Sequence, residues 1–340
     1  AGQSYWQILP VCPTSYGDSP YASYSTFAGN PYFIDLDLLE KEGLLKKEEY
    51  AAVDWENEEG KVNYGALYEK RYPILRLATK RFLENPPDSY AVFCADNAFW
   101  LDDYALFMTI KNLNLTAKKI SGSGAVGSLV AKSTNSQFEN CHVTIISSIK
   151  GVNEVGGLIG LAQESTTITN CSVTGPVQGG SSVGGVVGSL KGKISKSTYN
   201  GTITSTTSSA KLGGIVGVNA ASVSECKSSG KVACTASGSI VGGLIGENGK
   251  YSIENCYSTM AVTANKYAGG LVGYNYGKIT NCYASGNLTS TTNAGGVVGY
   301  NDGTSAVVSY CCAMNNEIKV TSSTGVAVRV IGGLKNSAPL

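Results

Sequence analysis

The feature that most limits how this chain can fold is a six-residue phrase that returns seven times in its second two-thirds. It reads VGSLVA from Val126, VGGLIG from Val155, VGGVVG from Val183, LGGIVG from Leu212, VGGLIG from Val241, AGGLVG from Ala268 and AGGVVG from Ala294. Successive starts lie 29, 28, 29, 29, 27 and 26 residues apart. A period of this length is one supersecondary unit, too small to bury an apolar face alone, so neighbouring copies must stack. The fullest copy, AGGLVGYNYGKITNCYASGNLTSTTN from Ala268, holds three short apolar pieces: Leu271-Val272, Lys278 to Tyr283, and Asn287 to Thr289. Gly or Asn separates them, which makes poor helix and good strand. The pattern predicts a parallel β-solenoid with three strands per turn, its backbone groups satisfied in ladders between turns about 4.8 Å apart.

Stacking sets same-place residues above one another. Cys141, Cys171, Cys226, Cys256, Cys282 and Cys311 share one place, which Ser197 takes in the third repeat. Disulfides or a metal are the functional readings of such a column. The Ser and the lack of any C-x-x-C spacing favour a structural ladder of buried free thiols, with no metal. Cys312, next to Cys311, should face the other way. A second column is Asn219, Asn248, Asn275 and Asn301, each seven residues after its repeat start and expected to bond up the stack. Tyr257 and Tyr283 follow the column Cys and suggest an aromatic stripe, suited to packing against loops or to a sugar. His142 follows Cys141 and should face solvent. The end of the last copy departs from the phrase as capping turns do, with Arg329 and Lys335 blunting the edge.

The first third reads differently. Up to Lys111 there are 10 Lys/Arg against 17 Asp/Glu, a net of −7; from Asn112 on there are 16 against 8, a net of +8. All three Trp, but only 6 of the 42 Gly, precede Asn112. Two folding units are expected, residues 1–111 and 112–340. The overall charge of +1 gives no reason to invoke nucleic acid. No run of about 18 apolar residues predicts a membrane span, and no cofactor is implied. Tyr5 to Val11 suits a buried parallel strand. Lys46 to Tyr50 and Tyr64 to Glu84 read as amphipathic helices, the second with a kink at Tyr72-Pro73. Asn85-Pro86-Pro87 ends that helix, Asp88 or Ser89 caps the next, and Asn97 to Lys111 forms the last. At the join, Ile110 and Lys111 suit both the helix before and the strand after.

Four phrases of this first third carry a family resemblance: SYWQILP, PTSYGDSPYASYSTFAGNPYFIDLDLL, VNYGALYEKR and FWLDDYALFMTIK. Together they resemble the 4-α-glucanotransferase (amylomaltase) family of the α-amylase clan over nearly all of residues 1–111. The resemblance implies an α/β fragment of a (β/α)8 barrel, mostly helical, ahead of an all-β parallel β-solenoid of about seven repeats. It implies an α-1,4-glucan or maltooligosaccharide partner. Tyr16, Ser19 and Tyr21 of the YGDSPY loop would then line the glucan subsites, with Tyr64 as a further contact and Asp18 bracing the loop. Aromatic rings stack on sugar faces and hydroxyls bond sugar oxygens.

The catalytic machinery is another matter. A retaining transglycosylase needs two carboxyl groups about 5–5.5 Å apart, which the family supplies from later barrel strands. The pattern is left at Lys111, the first barrel strand also reads as missing, and a full barrel takes about 250 residues. The only His is His142. Asp18, Asp35, Asp37, Asp102 and Asp103 offer no substitute pair, since Asp102 and Asp103 are adjacent on a helix and face apart. No catalytic residue is assigned and no turnover is expected. The repeats resemble the GLUG repeat of bacterial surface and secreted proteins. Three readings follow: a glucanotransferase-like chain, a surface solenoid that adheres or presents, or two genes joined by artefact. The first places the chain in the cytoplasm and the second outside the cell.

Overall fold

The computed structural model describes residues 11–14, 23, 25–56, 61–111 and 113–335. The chain divides into two compact units, Ala1–Phe107 and Met108–Leu340. The first is helical where described: α1 (Leu36–Lys41), α2 (Tyr64–Ala66), α3 (Tyr72–Glu84), α4 (Asp88–Asp96) and α5 (Ala98–Lys111). Asp35 caps α1 by accepting from Asp37 N and Leu38 N at 2.8 and 3.4 Å. Asn63 caps α2 by accepting from Ala66 N at 3.0 Å. Between α2 and α3 the chain makes a wide π turn over Leu67–Arg71. Pro73 follows at once and has no N–H to return to the preceding turn, so the helix widens locally instead of breaking. Ile74, Leu75 and Ala78 of α3 pack with Leu36, Leu45 and Tyr50 to form the small core.

Several local expectations need correction. Lys46 to Tyr50 is no amphipathic helix but a single 3₁₀ turn, Lys47–Glu49, which Lys46 N closes by donating to Glu49 Oε2 at 2.9 Å. Neither Asp88 nor Ser89 caps α4; Pro87 occupies that position in the extended conformation, with no side-chain cap bond. Ile110 and Lys111 belong to α5, and the first solenoid strand begins at Asn114. The strand expected from Tyr5 lies outside the described residues, apart from Val11. In this unit an isolated antiparallel bridge joins Thr14 and Ser23. A barrel is implied here only by the resemblance.

The second unit is a β-solenoid of about seven turns, and its strand pairings are parallel throughout. Each turn crosses four sheets rather than the expected three strands. In the third turn these are Ser182–Gly184, Val187–Leu190, Lys193–Ser195 and Thr198–Ser205. We number the faces one to four in that order; the first three have seven strands each, and the fourth has twelve because its long strand divides in several turns. The extra face comes from inside the repeated phrase. Its Gly-Gly pair is a corner, so one apparent strand is two. A Cβ on Gly213 would stand 2.0 Å from Val216 O, and one on Gly214 would stand 2.1 Å from Gly243 O. Only glycine lets the backbones approach that closely.

A second corner, between faces three and four, turns through one left-handed residue in each turn. These are Asn140, Asn170, Lys196, Glu225, Asn255, Asn281 and Tyr310, with φ from 52° to 55°. Four of the seven are Asn, the side chain that best tolerates this conformation after Gly. Inside the four faces runs one continuous apolar core, including Ile159, Ile194, Ile203, Leu212, Val216 and Ile245, all at most 1% exposed. Among the described residues, no helix is long and apolar enough to cross a membrane.

Candidate functional site

Of the residues tied to glucan, Tyr16, Ser19 and Tyr21 lie outside the described residues. Tyr64 opens α2 and is 41% exposed. Its ring centroid lies 6.0 Å from that of Tyr32, which lies 6.0 Å from Tyr72; Tyr72 lies 5.2 Å from Tyr68. A single predicted contact thus stands in a group of four tyrosines. Tyr64, Tyr68 and Tyr72 recur every fourth residue, so the sequence held a signal for three of them: that spacing places side chains on one helix face. Tyr32 joins them because Asn30 turns the chain there, accepting from Tyr32 N at 3.0 Å. Apolar ring faces ringed by phenol hydroxyls are the chemistry of sugar contact.

The carboxylates of this unit hold structure. Asp37 accepts from Lys47 Nζ at 2.8 Å and from Tyr50 Oη, and these bonds hold it below the usual carboxylate range. Burial, then the bonds to Asp37 and Glu40, push the Tyr50 phenol up to about 12. Glu49 takes a two-pronged pair of bonds from Arg81, each 2.7 Å, plus the Lys46 N–H; Arg81 is the main cause that lowers it to about 2. Asp35 is spent on its cap and Glu56 on Lys70. Asp102 lies exposed on α5. Asp18 and the Asp103 side chain lie outside what is described. A general acid works with a raised pKa, and Asp37 and Glu49 move the other way.

In the solenoid, the column cysteines are free thiols. Cys141, Cys171, Cys226, Cys256 and Cys282 are at most 2% exposed, Cys311 is half-buried and Cys312 exposed. Each column thiol bridges the left-handed corner. Cys226, Cys256, Cys282 and Cys311 donate to the carbonyl two residues back at 3.1–3.2 Å. Cys256 and Cys282 in turn accept the N–H of Cys226 and Cys256, both at 3.3 Å. Ser197 does both jobs with its hydroxyl, donating to Ser195 O and accepting from Cys171 N. Partner thiols and burial raise the pKa values of Cys171, Cys256, Cys282 and Cys311, Cys282 to about 12, first through Cys256. Among the described residues, no group of three or more His, Cys, Asp or Glu could hold a metal.

Asn219 donates to Asn248 Oδ1 at 2.7 Å, Asn248 to Asn275 Oδ1 at 2.8 Å, and Asn275 to Asn301 Oδ1 at 2.8 Å. The Tyr257 and Tyr283 rings stack 4.8 Å apart and nearly parallel, and Lys227 Nζ lies 5.5 Å from the Tyr257 ring. Their facing surfaces are therefore taken up with each other. His142 is exposed and shares a 2.7 Å hydrogen bond with Ser172. Sequence reasoning passed over a second ring cluster, Tyr267, Tyr274 and Tyr300, with centroids 4.8 to 5.4 Å apart. Its signal was the doublet Tyr-Asn six residues after two repeat starts. Burial and a 2.6 Å bond to Asp302 raise the Tyr274 pKa; that bond, and Lys335 at 3.2 Å, hold Asp302 ionised.

A family model described as 4-alpha-glucanotransferase matches residues 1–121, and the GLUG motif matches residues 151–177, 237–263 and 264–289. The 4-alpha-glucanotransferase of Clostridium butyricum is 50% identical over 111 residues, covering 33% of this chain and 23% of that protein. The Streptococcus pneumoniae enzyme is 47% identical over 110 residues, 32% and 22% of the two chains. That of Thermus thermophilus is 45% identical over 115 residues, 33% and 22%. The chain spans less than a quarter of the length of these curated relatives.

Proposed function

We propose that this chain binds α-1,4-glucan through its first unit without transferring it, the solenoid serving as a rigid carrier. The observation that carries the reading is the extent of the family match. It covers residues 1–121, and beyond that point the chain is rungs. The resemblance implies catalytic carboxylates on later barrel strands, and those strands do not follow here. The carboxylates of the first unit that have described partners are committed to caps and cations, and Glu49 and Asp37 are held ionised. What the segment keeps is contact chemistry, represented by Tyr64 and its tyrosine neighbours.

The test is to incubate the purified chain with maltotriose and to titrate it with maltoheptaose while following tryptophan fluorescence. The expected result is saturable quenching with no glucose and no longer glucans above a blank. Glucose release would overturn the absence of transfer, and a flat titration at millimolar maltoheptaose would overturn glucan binding.

A further inference from the structure

The corners between faces two and three differ in length from turn to turn, and the differences cut a groove into the solenoid. Four residues link the two strands in the second turn (Gln163 to Thr166), but only two do so in the third (Lys191 and Gly192). Three residues link them in the fourth and fifth turns, ending at Ser222 and Tyr251. The short third corner is a floor between taller neighbours. Gly192 permits it, since a Cβ there would stand 2.0 Å from Thr166 O. The result is an open groove of about 420 Å³ across four successive turns.

Its lining has a definite chemistry. Lys191 and Lys193 flank the floor, both exposed, and neither forms an ion pair among the described residues. Hydroxyls of Ser165 and Thr167 border one side and Ser222 the other. Tyr251 closes the far end, 45% exposed. Its carbonyl is fixed by the Asn248 side chain at 3.0 Å, and its ring packs along Gly249. No Asp or Glu lines the groove. Two cations, several hydroxyls and one exposed aromatic ring, with no competing anion, suit a ring-shaped polyhydroxylated ligand that carries negative charge.

We propose that this groove binds an acidic sugar residue, carboxylated or sulfated, within an oligosaccharide. Lys191 and Lys193 meet the anionic group, Tyr251 takes the sugar face, and the Ser and Thr hydroxyls meet the ring oxygens. The proposal is independent of glucan binding by the first unit, which is read with a neutral ligand.

The test is calorimetric titration of the full chain with tetragalacturonate and with a heparin-derived tetrasaccharide. Maltotetraose and a twelve-nucleotide single-stranded DNA serve as comparators. The acidic tetrasaccharides should bind, the tighter of the two showing whether carboxylate or sulfate is preferred. Binding should weaken about tenfold in each of Lys191→Ala, Lys193→Ala and Tyr251→Ala, the scale of one charge-assisted bond or one stacking contact. Lys319→Ala, exposed on face four in the last turn, should leave it unchanged. The proposal fails if neither acidic sugar binds or if Lys319→Ala weakens binding as much as Lys191→Ala. It also fails if the DNA binds as tightly through the same residues, which would make the groove a general polyanion site.

Discussion

Asn275→Ala should be among the costliest single substitutions in the solenoid. The Asn275 side chain is fully buried and makes four hydrogen bonds. It accepts from Asn248 Nδ2 at 2.8 Å and Gly277 N at 3.2 Å, and donates to Gly277 O and Asn301 Oδ1, both at 2.8 Å. After truncation, Asn248 Nδ2 keeps Tyr251 O and Gly277 O keeps Val307 N. Gly277 N and Asn301 Oδ1 lose the bonds made here. Two stranded buried groups at about 1.5 kcal/mol each and two weakened ones at about 0.5 kcal/mol each give about 4 kcal/mol. Asn301, at the end of the run, has two such bonds, from Asn275 and to Ala306 O, so Asn301→Ala should lose about 2 kcal/mol. Because each turn leans only on its neighbours, the Asn275 loss should appear as early melting of the last turns rather than a uniform shift. Urea unfolding followed by far-UV circular dichroism reads both. An Asn275→Ala chain within about 1 kcal/mol of the parent, or no worse than Asn301→Ala, would refute the reasoning.

Two further outcomes test the chemistry of buried and paired groups. A thiol-alkylating reagent should label Cys312 in the native chain but reach Cys171, Cys226 and Cys256 only on unfolding, because these are at most 1% exposed; mass mapping that finds Cys256 labelled as fast as Cys312 would contradict the packing. Glu49 has its pKa lowered from 4.5 to about 2 by Arg81, so its contribution is present above pH 4.5 and is lost as pH falls through about 2. Glu49→Gln should flatten the acid-unfolding curve of the first unit in that window, and an unchanged slope would show that the pair does not act as described.

The repeat period and the parallel stack were legible because a stack shows itself in one dimension: same-place residues recur. The number of faces was not. Gly-Gly inside VGGVVG looks like a weak point in one strand, and only the approach of Gly213 to Val216 O shows that it is a corner. The left-handed column was half legible. Asn140, Asn170, Asn255 and Asn281 advertise it, but Lys196, Glu225 and Tyr310 adopt the same φ because the turns on either side impose it. In the first unit, long helices could be read from apolar spacing, whereas Lys46 to Tyr50 is too short for spacing to separate a 3₁₀ turn from a helix. The tyrosine group illustrates a different limit. The four-residue recurrence of Tyr64, Tyr68 and Tyr72 is visible in sequence, but Tyr32 reaches them through a loop whose path the sequence does not state.

The parallel register also governs how such a chain can lengthen. Each strand residue sits beside its counterpart in the turns above and below, so a tandem duplication places every side chain next to a copy of itself. For Val, Gly, Asn or Cys that is harmless or helpful. For Lys or Glu it sets like charges one strand spacing apart, about 4.8 Å, which is destabilising. The strand pairs obey this constraint: Lys227 sits beside Thr198 and Tyr257, Glu247 beside Val218 and Tyr274, Lys193 beside Thr167, and Lys278 beside Ser252. Growth by copying therefore favours neutral rungs. Charge, including the two lysines of the groove floor, has to be acquired afterwards, one turn at a time.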